Sequence, residues 1–209
     1  MSQTDPSGNY FNLALPRKIS NISTKNKETF SSMPDLKIED FQIGSCKGEG
    51  RFGKVFPAVH KKSGFLVAIK QIKKEDVRLM LDQFIQELKV NSFMSHPNIV
   101  KMYAFFSDQT YFYILMEFME EGSLYKHIKT SKKIKEDEAS AKLFEICDAV
   151  YYLHSQEILH RDIKPENIVL SHVLFRLFQG VCKLCDFGWA IYSKERRNTY
   201  CGTLDYVCP

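Results

Sequence analysis

Three glycines at Gly48-x-Gly50-x-x-Gly53, followed by Val55, open the part of the chain whose residue types could do chemistry. Glycines at this spacing let backbone N–H groups approach phosphate oxygens with no side chain in the way. A dinucleotide site uses the same spacing to open a helix, whereas Lys54-Val55-Phe56 reads as a returning strand. A plain hairpin is the bland alternative. Lys70 closes the apolar run Val67-Ala68-Ile69, where a lysine is ordinarily a solvated strand end. It gains a phosphate-binding reading only with a carboxylate partner. Glu87 shares a helical stripe with Phe84, Leu88 and Asn91, and an inward carboxylate is costly unless paired. Such a pair would hold an ammonium against nucleotide phosphates; the alternative is a surface glutamate meeting Arg78 or another cation. The densest run is His160-Arg161-Asp162-Ile163-Lys164-Pro165-Glu166-Asn167, and Asp186-Phe187-Gly188 follows 19 residues after Asn167. Alone, that run reads as a solvated charged loop. In the order glycine loop, lysine, helix glutamate, charged loop and Asp-Phe-Gly, coincidence no longer accounts for it.

The elements that must hold these residues follow from periodicity. Phe41 to Lys47 and Lys54 to His60 read as strands flanking the glycines, Lys61 to Gly64 as a turn, and Phe65 to Ile72 as a third strand. Val77, Met80, Leu81, Phe84, Ile85 and Leu88 recur at spacings of three and four, the mark of an amphipathic helix. Tyr111 to Met119 is a nearly continuous apolar run, as in a buried strand. Leu143, Ile146, Cys147, Val150 and Leu153 mark a second helix from about Asp137 to His154. Strands precede helices, with a polar hinge near Glu120-Glu121-Gly122. Residues 1–38 are polar and aperiodic, so they offer too little apolar surface to repay ordering and read as a disordered tail. Residues 39–117 form a β-rich lobe, and 118–209 the hinge with a helical lobe that carries the charged loop. The basic run Arg17-Lys18-Ile19-Ser20 in the tail has the form of a phosphorylation site, although matches that short mostly arise by chance.

Bulk properties narrow the class. With 44% hydrophobic residues, the 209-residue chain is ordinary globular material. A formal net charge of +4 is too mild for a nucleic-acid stripe or a membrane surface. No stretch reaches the roughly 20 apolar residues of a membrane span. The start of the chain shows no apolar leader, so the six cysteines are expected as reduced intracellular thiols. Cys182-Lys183-Leu184-Cys185 invites a zinc reading. Residues three apart on a strand face opposite sides, however, and no second pair stands at ligand spacing, so packed thiols are favoured. Cys201 adds a redox-sensitive position.

Taken together, residues 41–209 resemble a protein kinase domain. The resemblance implies an α+β, bilobal fold: a β-rich N-lobe with one main helix and an incomplete helical C-lobe. It implies ATP and Mg²⁺ as cofactors and γ-phosphoryl transfer to protein hydroxyls. By resemblance, Asp162 orients the substrate hydroxyl and accepts its proton, and Lys164 steadies the transferring group. Lys70 with Glu87 serves the phosphates, and Asn167 and Asp186 hold the metal. Gly48, Gly50, Gly53, Val55, Ala68, Glu117, Met119 and Glu166 join Lys70, Asn167 and Asp186 around the cofactor. Met116 aligns with the gatekeeper, and the backbone of Glu117 to Met119 with the adenine-binding hinge. Phe187, His160, Met102 and Asn91 align with the stack linking the lobes, where Asn91 is a polar oddity that needs a bond. Lys164 resembles serine/threonine rather than tyrosine kinases.

Trp189 immediately after Asp-Phe-Gly, and the run Cys201-Gly202-Thr203-Leu204-Asp205-Tyr206, are similar to Aurora kinases; a polo-like or other basophilic relative is the alternative. The resemblance implies Thr199 as an activation phosphosite whose phosphate recruits Arg161. It also implies substrates with basic residues before the serine or threonine, and Arg196 and Arg197 would then make Thr199 a target of the kinase itself. Glu166 would meet such an arginine. Activator proteins docking on the N-lobe and a cytoplasmic or nuclear location, spindle- or chromosome-associated in mitosis, come with the family; nucleic acid and membrane are not expected. Two departures stand against this pattern. The sequence ends at Pro209, where the family continues into further helices, so the chain alone is expected to fold poorly and turn over little. A catalytically weak nucleotide-binding or scaffolding form is therefore the rival class. The second departure is Val173 to Phe178, six residues of which five are apolar, in excess between Asn167 and Asp186. They are either a partner-contacting extension or retained intron sequence, with the balance toward the latter.

Overall fold

The computed structural model describes residues 36–50, 53–78, 81–171, 180–192 and 202–206. Arg17 to Ser20, Val173 to Phe178, Arg196 to Thr199 and Cys201 lie outside them, as does nearly all of the expected tail. The chain divides into two compact units, Met1–Met80 with Met102–Phe118, and Leu81–Lys101 with Met119–Pro209.

Among the described residues the first unit is one antiparallel sheet with a 3-10 turn, Ile38–Asp40, and one turn of α-helix. Its strands are β1 (Phe41–Ile43), β2 (Gly48–Gly50), β3 (Gly53–His60), β4 (Leu66–Lys73), β5 (Met102–Ser107) and β6 (Tyr111–Met116); α1 spans Lys74–Val77. The order is β1-β3-β4-β6-β5, with β2 paired to β3. Strand periodicity sorts the side chains. Ala58 stands opposite Val67 and Ile69 opposite Leu115, and these four join Phe41, Ala104 and Tyr113 in one apolar cluster. Leu36 and Ile38, the last residues of the stretch read as tail, pack against that cluster. The opposite face carries Val55 across from Lys70, and Ala68 across from Met116.

Several element bounds differ from the periodicity. The first strand stops at Ile43, because Pro57 on β3 has no N–H to continue the ladder; its carbonyl accepts from Gly44 N–H at 2.8 Å instead. β5 has no clean alternation to read, since a register shift between Met102 and Ala104 displaces Tyr103. Its turn into β6 is fixed by Asp108, whose Oδ1 accepts from the N–H groups of Thr110 and Tyr111, each at 2.7 Å.

The second unit holds α2 (Leu81–Phe93), β7 (Gly122–Ser123), α3 (Leu124–Ser131), α4 (Glu136–Ser155), β8 (Ile158–Leu159), β9 (Ile168–Ser171), β10 (Val181–Leu184) and β11 (Ile191–Tyr192). Two small antiparallel sheets, β10-β9-β7 and β11-β8, carry the loops that matter. The helix read around Glu87 thus groups with this unit, and its Val90 sits in the unit's core with Ile99, Ile146, Leu153, Leu184 and Phe187. Phe84, Glu87 and Leu88 are buried, as the stripe requires, while Leu81 is exposed. Helix α4 is rotated from its expected face. Its buried residues are Lys142, Ile146, Ala149 and Leu153, leaving Leu143, Phe144, Cys147 and Tyr151 exposed. Lys142 tolerates burial because its ammonium lies 3.4 Å from Glu138 one turn earlier, and Glu145 accepts Cys182 N–H at 2.8 Å.

Candidate active site

The described half of the candidate site is built by β9, β10 and the loop before them. Asn167 ends a 3-10 turn, Pro165–Asn167, and passes directly into β9. Antiparallel pairing sets Ile168 opposite Leu184, and the Asn167 carbonyl accepts Cys185 N–H at 2.9 Å. The ladder thereby fixes Asn167 beside the strand end that delivers Asp186. His160 ties the same two segments together. Asp162 N–H donates to its Nδ1 at 3.3 Å, so the ring proton sits on Nε2, which donates to the Cys185 carbonyl at 3.1 Å. Burial pushes the imidazole below its ordinary pKa, which keeps this tautomer neutral. Its ring packs 4.9 Å from that of Phe187.

Around Asp162 three side chains converge. Lys164 Nζ lies 2.8 Å from Oδ2, which also accepts Asn167 Nδ2 at 2.9 Å. Thr203 Oγ1 donates to Oδ1 at 2.7 Å and accepts from Lys164 Nζ at 2.7 Å. Burial pushes the Asp162 carboxyl up, but the bonds from Lys164, Thr203 and Asn167 more than reverse this and hold it below its ordinary pKa. It is an ionised base at neutral pH with every close partner a donor. Arg161 and Asp186 flank the cluster at φ 66° and 62°, left-handed conformations that cost non-glycine residues about 1 kcal/mol or more. The Arg161 conformation is held by its Nε bond to the Trp189 carbonyl at 2.8 Å.

A divalent cation fits the residues present. Asn167 spends its Nδ2 on Asp162, both on Oδ2 and on the backbone carbonyl at 2.8 Å, which turns its amide oxygen to the other side. Asp186 is exposed, its Oδ1 accepting Gly188 N–H at 3.3 Å. Among the described residues no three histidines, cysteines or carboxylates gather as a metal cage. Oxygen donors of this kind suit a hard divalent cation. Cys182 is buried, its Sγ donating to the Lys142 carbonyl, while Cys185 is half-buried.

The family model for the protein kinase domain matches residues 19–209. The chain belongs to the protein kinase family. It is 41% identical over 187 residues to an Aurora kinase of Candida glabrata, covering 88% of this chain and 50% of that protein. An Aurora kinase of Schizosaccharomyces pombe is 39% identical over 178 residues, 84% of this chain and 48% of its own length. Aurora kinase B of Mus musculus is 38% identical over 192 residues, 89% and 51%. The kinase chain thus spans about half the length of the curated relatives it matches, and an α+β fold accords with the family. The family uses ATP and a divalent metal and acts on proteins.

The candidate residues of this kinase fall in both units. In the first, Gly48, Gly50 and Gly53 form a β-hairpin rather than a helix-opening turn, with Gly50 opposite Gly53. Gly53 has φ +144°, and a Cβ there would come within 2.1 Å of the Gln71 carbonyl oxygen. Val55, Ala68 and Lys70 share one sheet face, and Glu117 follows the end of β6. The second unit holds Glu87, Met119, Asp162, Lys164, Glu166, Asn167 and Asp186, and brings Asp162, Lys164 and Asn167 into direct contact. Asn91 meets its polar requirement within its own helix, donating to the Glu87 carbonyl at 3.0 Å. Thr199 lies outside the described residues. Sequence reasoning missed Thr203. It stands in the run that marks the Aurora resemblance, but nothing in the spacing announces a bond to residues 39 and 41 positions earlier.

Proposed function

We propose that this chain carries the ATP-dependent phosphoryl-transfer machinery of an Aurora-type serine/threonine kinase. The observation that carries the reading is the ionised, donor-surrounded Asp162 carboxylate with Lys164 one bond away. A substrate hydroxyl reaching Oδ1 along the line that Thr203 now uses would be oriented there and would give its proton to that carboxylate. Lys164 would then face the phosphoryl oxygens as charge shifts onto them. Asn167 and Asp186 would hold Mg²⁺, which when bound offsets the negative charge of the phosphates. Lys70 takes the nucleotide phosphates. Gly48, Gly50 and Gly53 supply backbone N–H groups, and Val55, Ala68, Glu117 and Met119 the adenine surroundings.

Glu166 is exposed two residues after Lys164, and Asp205 is exposed two residues after Thr203. These carboxylates favour substrates with basic residues before the serine or threonine, and Thr199, after Arg196 and Arg197, is one such target and the activating phosphosite. The resemblance to the Aurora family is the ground for proposing a spindle or chromosomal role with activators docking on the N-terminal unit; among the described residues no helix is long and apolar enough to cross a membrane. The test is Asp162→Asn with an arginine-rich peptide and Mg-ATP. The substitution keeps the shape and removes the base, so turnover should fall by about 10² or more. Equal turnover by the two proteins would end the proposal.

A further inference from the structure

We infer that the exposed lysines of α3 and of the loop after it form a docking surface for an acidic segment of the protein substrate, beside the catalytic loop. The inference deepens the kinase reading and rests on it. From Leu124 to Lys135 the chain carries Lys126, Lys129, Lys132, Lys133 and Lys135 and no carboxylate. All five lysines are exposed, and among the described residues none of them makes an ion pair. His127, by contrast, faces Glu138 at 3.3 Å. Lys129 Nζ lies 6.0 Å from the ring centroid of the exposed Tyr125, a contact that leaves its charge uncompensated.

Local helix stability does not account for this arrangement. A cation near a helix C-terminus meets the negative end of the macrodipole, which suits Lys129. Lys126 is instead the third residue of α3, in a first turn that holds no acid, where a cation opposes the macrodipole. Lys132 ends the helix at φ 63°, a left-handed conformation that favours glycine or asparagine. Two lysines thus sit where the helix alone would select against them, which marks a surface kept for its charge. Position ties that surface to the site. Strand β7 leads straight into α3 and pairs Ser123 with Val169, two residues after Asn167. Helix α3 itself packs beside the turn Pro165–Asn167. The acids on either side choose the partner. Glu120 and Glu121 precede the lysines, and Glu136 and Asp137 follow them. With α3 only eight residues, about 12 Å, long, a continuous phosphate array such as a nucleic acid would run into these carboxylates. A short acidic peptide does not. Glu166 then takes the basic residues before the target hydroxyl, while the lysines take an acidic stretch elsewhere in the same substrate.

The test uses the full chain with Mg-ATP and two arginine-led serine peptides, one of them extended through a Gly/Ser linker by a run of glutamates. The run should lower KM about tenfold, the product of several exposed ion pairs each worth a factor of about two. The kcat should not change, and the gain should fade as salt is raised. Lys126→Ala with Lys129→Ala and Lys133→Ala should remove the gain and leave KM and kcat for the unextended peptide as they were. Lys132→Gly should raise the melting temperature yet lose part of the gain, a combination that a purely structural lysine does not give. Equal KM for the two peptides, or a gain indifferent to the three alanines, overturns this inference alone. So does a short DNA duplex that competes with the extended peptide better than free glutamate peptide of equal charge, since it assigns the patch to nucleic acid. No transfer to either peptide overturns the kinase reading, and the substrate role of this surface with it.

Discussion

Replacing Thr203 by valine removes one hydroxyl and keeps the shape, which makes it the cleanest probe of the Asp162 cluster. The lost bond is Oγ1 to Oδ1 at 2.7 Å, to a charged acceptor. Hydrogen bonds to charged groups contribute about 1.5–3 kcal/mol. The lower end applies, because Lys164 and Asn167 still hold Oδ2 at 2.8 and 2.9 Å. With a urea slope of about 2 kcal/mol per molar, a loss of about 1.5 kcal/mol moves the unfolding midpoint down by about 0.7 M. Trp189 is the chain's one tryptophan and is half-buried in the same unit, so its fluorescence reports this transition. The pH dependence follows from the direction of the Asp162 shift. Its folded pKa is depressed, so the ionised carboxylate stabilises the fold above the unfolded value of about 3.9, and that contribution is lost as pH falls through the folded pKa. The gap between wild type and Thr203→Val should be full at pH 7 and should close below about pH 4, while Thr203→Ser keeps most of the stability. Equal midpoints at pH 7, or a gap that persists unchanged into acid, would show that the hydroxyl does not support the carboxylate.

Two further outcomes test the scaffold. Gly53→Ala forces a side chain into φ +144° and against the Gln71 carbonyl, and should cost about 3 kcal/mol or more. Gly50→Ala meets open space and should stay within about 1 kcal/mol; circular-dichroism melts that rank the two equally would contradict the hairpin geometry. Burial, with the Glu145 carboxylate adding to it, pushes the Cys182 thiol up to about 12, so roughly one in ten thousand is thiolate at pH 8. Cys46 and Cys147 are exposed, and mass-mapped alkylation of the native protein at pH 8 should label them well before Cys182. Simultaneous labelling would mean that the β10 edge is open.

The residue types at Gly48 to Gly53, Lys70, Asp162 to Asn167 and Asp186 were legible in the chain because the chemistry dictates them locally. Phosphate contact needs bare backbone, and a cation needs oxygen donors. The apolar run from Phe65 to Ile72 likewise marked the strand that carries Ala68 and Lys70. Helix α4 shows where local pattern runs out. Its apolar residues cover more than one face, and only packing against β10 selects Ile146, Ala149 and Leu153 over Leu143 and Tyr151. The grouping of α2 with the second unit and the bulged strand β5 were likewise set by neighbours distant in sequence. Thr203 is the clearest case. A hydroxyl in a loop is chemically neutral until folding brings it within 2.7 Å of a carboxylate from another segment. Sequence alone determined which candidate groups for phosphate chemistry the protein possesses. Tertiary structure decided which donors surround Asp162, and so the lowering of its pKa despite burial, because hydrogen bonding and desolvation depend on distance in space and not along the chain.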